Sequence, residues 1–186
     1  MTATSTSALK WFPNALCLAR LAAGPVVIIL LINGYPGAAI GVYIAAALTD
    51  ALDGWSARKL GVVSKLGAFL DPLADKVLNL CTLFAVAAFW PVIAPPWMAM
   101  CVWIAFGLTL ARDVGVTVLR ITKPNGGPAV VRLAKWKTAA EMTGLLAALV
   151  ALAHGENAPL VPIAFGLIML GATLSAITGR GYLWRR

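Results

Sequence analysis

Asp50, Asp53, Asp71 and Asp75 stand between long apolar runs, within TDALDGWSARKLGVVSKLGAFLDPLADK (residues 49–76). They are four of only seven acidic residues in the chain. Carboxylates beside a bilayer are costly and mark function before they mark stability. Asp50 and Asp53 are three residues apart and Asp71 and Asp75 four apart, so on helices each pair shares a face. Two antiparallel helices joined by a short turn bring the pairs together, and four gathered carboxylates repel unless divalent cations neutralise them. One ion or two would satisfy the set, and two would let a substrate phosphate bridge them. Gly54 and Gly67, with the small Ala57, leave the backbone open to a ligand. Arg58, one turn beyond Gly54, offers a bidentate contact to a phosphate. Ion pairs with Arg58, Lys65 or Lys76 would explain one aspartate, not all four. Pro72 belongs to the first turn of its helix or kinks it.

The cation is a hard one. The chain has one histidine, His154, placed in the polar break HGEN and read as a solvated loop residue. Cys17, Cys81 and Cys101 are far apart in apolar segments, form no CxxC, and read as small apolar residues rather than ligands or disulfides. Carboxylate oxygens remain as the donors, which points to Mg²⁺ or Mn²⁺.

The elements that carry these residues are membrane helices. The 186-residue chain is 61% hydrophobic and 12% charged, well outside the range of a soluble domain. A hydrocarbon core takes roughly 20 apolar residues per helix, and on that basis six spans are expected near 15–33, 38–58, 67–89, 97–120, 137–153 and 160–178. The breaks NGYPG, WPVIAPP, TKPNGGP and HGENAP carry turn formers. The first residues lack the layout of a cleaved signal peptide, and residues 7–13, with Trp11 and Phe12, suit a short interfacial helix. The expected fold class is therefore all-α, an integral membrane protein of six transmembrane helices. It is organised as one domain over 1–186, with an interfacial segment at 1–14, a core at 15–178 and a tail at 179–186.

Charge sets the orientation. The breaks 33–37, 90–96 and 154–159 contain none of the fifteen lysines and arginines, a positive-inside pattern that makes those breaks external. The aspartates then lie at the cytoplasmic ends of spans 2 and 3. The formal charge of +8 becomes a one-sided field that suits anionic lipid heads. Nucleic acid is a poor partner, since no nucleic-acid motif accompanies the charge. No internal repeat supports a doubled transporter architecture.

The eight positions Asp50, Asp53, Gly54, Ala57, Arg58, Gly67, Asp71 and Asp75 form the pattern D-x2-D-G-x2-A-R-x8-G-x3-D-x3-D. This resembles the signature of the CDP-alcohol phosphotransferases, at every fixed position and every spacing. The resemblance implies transfer of a phosphatidyl or related group from a CDP-alcohol to an acceptor hydroxyl, with release of CMP. It implies that the four aspartates hold divalent metal, that the glycines and Arg58 position the CDP, and that Asp75 is the general base. It also suggests a homodimer.

Other segments bear on the acceptor. PNALCLAR (13–20) is similar to the PNxLTxxR opening of bacterial phosphatidylglycerophosphate synthases: Asn14, Leu16 and Arg20 match and Cys17 replaces threonine. Asn14 is thereby assigned to CDP binding. ARDVGVTVLR (111–120) is similar to their ARE…LR segment, with Asp113 for Glu. AKWKTAAE (134–141) is similar to GKxKTxxQ, with Ala134 and Glu141 departing. Arg112, Arg120, Lys135 and Lys137 would form a basic pocket for a small dianion such as glycerol 3-phosphate. Arg112, inside apolar sequence, requires a partner. Asp113 is adjacent, but neighbouring helical side chains point apart.

The expected activity is transfer from CDP-diacylglycerol to glycerol 3-phosphate in a bacterial inner membrane, with the site facing the cytoplasm. A same-family enzyme with another acceptor is the nearest alternative, for example a cardiolipin synthase using phosphatidylglycerol. A divalent-cation transporter is the alternative of a different class. In-line transfer and a covalent phosphatidyl-aspartate both remain open.

Overall fold

The computed structural model describes the backbone of residues 5–60, 65–122, 132–155 and 159–183, and the side chains of 15–49, 72–119, 136–155 and 159–178. Six α-helices follow one another: α1 (Ser5–Ile32), α2 (Pro36–Leu60), α3 (Lys65–Phe89), α4 (Pro96–Thr122), α5 (Arg132–His154) and α6 (Leu160–Leu183). A 3₁₀ turn, Trp90–Val92, follows α3. No strand occurs among the described residues.

Five of these helices contain a stretch long and apolar enough to cross a membrane: Ala15–Ile32, Pro72–Val92, Pro96–Leu119, Trp136–His154 and Leu160–Thr178. The sequence suggests six. In α2 the apolar run among the residues with described side chains is Pro36–Thr49, which by itself is shorter than the other five. The expected interfacial helix at 7–13 is not a separate element, since α1 runs unbroken from Ser5. Pro72 lies inside α3 beyond its first turn.

Packing is that of a protein solvated by lipid. Large apolar side chains such as Ile29, Ile32, Met100, Ile104 and Ile163 point outward. Buried positions include Arg20, Asp113, Lys137, Glu141 and Ser175. Water is absent from a hydrocarbon core, so hydroxyls must be satisfied locally. The hydroxyls of Thr49, Thr82, Thr117, Thr143, Thr173 and Thr178 donate to carbonyls three or four residues earlier.

The turns end the helices by backbone chemistry that the sequence encodes. At the end of α1, Gly34 has φ +75°. Its N–H donates to the Leu31 carbonyl, and the Tyr35 N–H to that of Leu30 at 2.8 Å. This is a Schellman motif, in which glycine supplies the left-handed residue. Gly155, with φ +83°, ends α5, and His154 Nδ1 donates to the Val150 carbonyl at 2.8 Å.

The chain divides into two compact units, Met1–Thr82 and Leu83–Arg186, with the boundary inside α3. In the first, α1 packs on α2, and α1 meets α3 at Gly24. A Cβ there would stand 3.0 Å from Cys81 Cβ and 3.2 Å from the Val77 carbonyl oxygen. In the second, α6 packs on both α5 and α4. The α5–α6 contact is close because of glycine on each helix. A Cβ on Gly144 would stand 3.0 Å from Leu167 Cβ, and one on Gly171 3.1 Å from Glu141 Cγ. Small residues at facing positions let membrane helices approach where no hydrophobic drive separates helix from lipid. Trp97 of α4 meets Phe165 of α6 edge-on, ring centres 5.6 Å apart.

Candidate active site

The expected aspartate pairs fall on continuous helices. Asp50, Asp53, Gly54, Ala57 and Arg58 lie in the C-terminal half of α2, and Gly67, Asp71 and Asp75 in the N-terminal half of α3. Helical backbone therefore gives each pair the register its spacing requires. Of the four, Asp75 has a described side chain. Those of Asp50, Asp53, Gly54, Ala57, Arg58, Gly67 and Asp71, and that of Asn14 on α1, lie outside the described residues. Among the described residues no group of three His, Cys, Asp or Glu stands ready to hold a metal.

Asp75 is half-buried and has a buried polar neighbour that the spacing arguments do not include. Asn79, one turn further along α3, donates from Nδ2 to Asp75 Oδ1 at 3.4 Å. Tyr43 of α2, with 2% of its surface exposed, donates its phenol hydroxyl to Asn79 Oδ1 at 3.1 Å. Arg20 of α1, in the same unit, is 1% exposed. The i, i+4 spacing of Asp75 and Asn79 was visible in the sequence. The Tyr43 contact spans 36 residues, and no local pattern predicts it.

The second unit brings two of the four expected acceptor residues to one carboxylate. Arg112 Nη1 pairs with Asp113 Oδ1 at 2.5 Å, and Lys137 Nζ approaches the same oxygen at 3.4 Å. Lys137 also pairs with Glu141 Oε2 at 3.2 Å, one turn along α5. Adjacent helical side chains diverge, but the guanidinium stem of Arg112 is long enough to fold back, so Asp113 is its partner after all. The cluster is almost sealed, with Lys137 4% and Glu141 7% exposed. Buried ions persist only when paired, and among the described residues two cations meet two carboxylates here. Glu141 stands out in the sequence only as a departure from a motif, yet its i, i+4 spacing from Lys137 is the clue to their pairing. The side chains of Arg120 on α4 and Lys135 on α5 lie outside the described residues.

The family model for CDP-alcohol phosphatidyltransferases matches residues 10–177, which takes in all six helices and both clusters. This chain belongs to the CDP-alcohol phosphatidyltransferase family. It is accordingly an enzyme and a multi-pass membrane protein. Among similar members, CDP-diacylglycerol–glycerol-3-phosphate 3-phosphatidyltransferase 2 of Arabidopsis thaliana is 35% identical over 177 residues, covering 88% of this chain and 74% of that one. The enzyme named CDP-diacylglycerol–glycerol-3-phosphate 3-phosphatidyltransferase in Rickettsia bellii is 34% identical, covering 91% and 92%. A cardiolipin synthase (CMP-forming) of Oryza sativa is 36% identical over 150 residues, but those span 74% of this chain and 45% of that protein.

Proposed function

We propose that this phosphatidyltransferase is a phosphatidylglycerophosphate synthase. It moves the phosphatidyl group of CDP-diacylglycerol to glycerol 3-phosphate and releases CMP. The observation that carries the reaction is the complete eight-position motif, with both aspartate pairs lying on unbroken helices, α2 and α3. The names borne by the Arabidopsis and Rickettsia relatives support the acceptor.

Asp50, Asp53, Asp71 and Asp75 would hold one or two Mg²⁺ or Mn²⁺ ions. The all-oxygen donor set suits a hard cation, and the half-buried Asp75 carboxylate is accessible rather than sealed in the core. A cation there would supply Lewis-acid polarisation of the phosphoryl group and stabilise the CMP that leaves. Asn14, Gly54, Ala57, Arg58 and Gly67 seat the CDP. Asp75 takes the proton from the acceptor hydroxyl as its oxygen attacks phosphorus. Arg112, Arg120, Lys135 and Lys137 hold the acceptor phosphate. Arg112 and Lys137 are partly neutralised by Asp113 and Glu141, so Arg120 and Lys135 contribute the excess positive charge.

The one-sided distribution of lysine and arginine supports six spans, with α2 crossing, and an active site on the cytoplasmic face of a bacterial inner membrane. There the lipid tails stay in the bilayer, and the nucleotide and acceptor exchange with the cytosol. The protein works as a homodimer.

The test is purified protein with radiolabelled CDP-diacylglycerol and a panel of alcohols. CMP release that depends on glycerol 3-phosphate is the expected outcome. Release with phosphatidylglycerol instead would make it a cardiolipin synthase. Cation uptake by proteoliposomes without any CMP would overturn the enzymatic reading of the site.

A further inference from the structure

Tyr43, Asn79 and Asp75 form a directed chain of hydrogen bonds inside the first unit. Tyr43 Oη to Asn79 Oδ1 is 3.1 Å, and Asn79 Nδ2 to Asp75 Oδ1 is 3.4 Å. Tyr43 and Asn79 are both buried, so neither is on the protein surface by accident of composition. A buried polar side chain is costly unless it is bonded, and these two are bonded to each other and to the carboxylate.

The direction of the chain matters. An asparagine amide has an accepting end and a donating end. An ionised carboxylate only accepts. If the amide were turned over, its oxygen would face the Asp75 carboxylate and two acceptors would oppose each other. The carboxylate, which can only accept, therefore sets the amide orientation, and the phenol hydroxyl of Tyr43 anchors the amide there by donating to its oxygen from the opposite side. The amide then holds one carboxylate oxygen in place.

We propose that Asn79 and Tyr43 are positioning residues for Asp75: Tyr43 anchors the Asn79 amide, and Asn79 fixes the rotamer of the carboxylate that receives the acceptor's proton. This rests on the proposed function above, in which Asp75 is that base. Both residues are buried, and the role assigned to them is through Asp75 rather than on substrate. Their effect is on the geometry of the proton-accepting oxygen, and small displacements there reduce turnover without weakening binding.

The chain can be taken apart stepwise. Asn79→Leu keeps the branched heavy-atom outline, with methyl groups in place of oxygen and nitrogen, and removes the donor. Asn79→Asp keeps the shape and replaces the donor with an acceptor facing Asp75. Tyr43→Phe removes one hydroxyl and is the mildest change. Each would be purified in detergent and measured for kcat and KM with CDP-diacylglycerol and glycerol 3-phosphate, for CDP-diacylglycerol binding without acceptor, and for melting temperature. Asn79→Leu is expected to lower kcat about tenfold, the equivalent of one hydrogen bond to a charged group, with KM for CDP-diacylglycerol and its binding unchanged. Asn79→Asp is expected to fall further. Tyr43→Phe is expected to lower kcat about threefold in the wild-type background and to have a clearly smaller effect in the Asn79→Leu background, since its hydroxyl reaches Asp75 through the amide.

Wild-type kcat in Asn79→Leu would overturn the inference, as would a Tyr43→Phe effect of full size in the Asn79→Leu background. Parallel loss of binding and melting temperature in all three variants would reduce the chain to a packing feature and overturn it too. None of these outcomes touches the proposed reaction, which the wild-type protein tests separately. A wild-type protein that releases no CMP overturns both.

Discussion

Lys137 Nζ stands 3.4 Å from Asp113 Oδ1, joining α5 to α4 across 24 residues of sequence. Asp113 and Lys137 are both buried, and Glu141 shares the lysine at 3.2 Å. Removing one member of such a group leaves an uncompensated charge in a low-dielectric interior. Lys137→Met is therefore expected to cost about 3–5 kcal/mol of stability, because it removes the cation paired with Glu141, while Asp113 keeps Arg112. Lys137→Met combined with Glu141→Gln should recover part of that loss, since the stranded carboxylate is gone. Thermal unfolding in detergent measures both. Equal melting temperatures for the single and double variants would show that Glu141 does not depend on the lysine.

The same pairing predicts a division of labour among the four basic residues. Arg112 and Lys137 spend much of their charge on carboxylates in their own cluster. Arg120 and Lys135 are assigned the net attraction for the acceptor's phosphate. Arg120→Gln and Lys135→Gln should each raise KM for glycerol 3-phosphate about tenfold or more, the loss of one charge-assisted contact. KM for CDP-diacylglycerol should stay within about twofold, because that substrate is assigned to the α2–α3 motif. A steady-state titration of each substrate separates the two, and a matching rise for both substrates would contradict the assignment.

How much of this was legible in the sequence differs from feature to feature. The Schellman end of α1 was, because Asn33-Gly34 before Tyr35-Pro36 offers few other backbone conformations. The aspartate register was, because spacing of three and four has one meaning on a helix. The count of membrane-spanning helices was less so: the second half of α2 carries Asp50, Asp53, Arg58 and Lys59, and hydropathy alone does not tell a span with a charged end from a helix that stops. The separate interfacial helix at 7–13 was misread because Trp11 and Phe12 suggest an interface anchor without marking a break, and α1 runs on from Ser5. The Arg112–Asp113 pair was discounted by a rule about Cβ directions that a long guanidinium side chain evades. The Tyr43–Asn79 bond was illegible because it depends on how α2 meets α3, a tertiary fact with no local periodicity.

Asp75 and the proposed cation should separate binding from chemistry. Asp75→Asn preserves size and hydrogen bonding but cannot take a proton, so it should abolish CMP release while keeping much of the affinity for CDP-diacylglycerol. Chelation by EDTA should also abolish CMP release, and Mg²⁺ or Mn²⁺ should restore it in the wild-type protein. Binding of fluorescent CDP-diacylglycerol, followed beside CMP release, distinguishes the two losses. Wild-type turnover in Asp75→Asn would remove Asp75 from the role of base.

Gly24 holds α1 against the part of α3 that follows Asp75. A methyl group at Gly24 would meet Cys81 Cβ at 3.0 Å, Cys81 Sγ at 3.2 Å and the Val77 carbonyl oxygen at 3.2 Å. The thiol can rotate away, but Cβ and the carbonyl belong to the helix and move only with it. Gly24→Ala is therefore expected to push α3 outward and to cost about 1–3 kcal/mol, despite alanine's better helix propensity. Gly41 of α2 supplies the control, since nothing lies within 4 Å of a Cβ built there. Gly41→Ala should be neutral or stabilising by about 0.5–1 kcal/mol. Val77 is two residues from Asp75, so displacement of α3 also shifts the carboxylate. Gly24→Ala should lose turnover at temperatures where it remains folded, and Gly41→Ala should not. Melting curves paired with CMP release at the same temperatures decide it. A Gly24→Ala variant as stable as Gly41→Ala would mean that α1 and α3 are not in contact at this point.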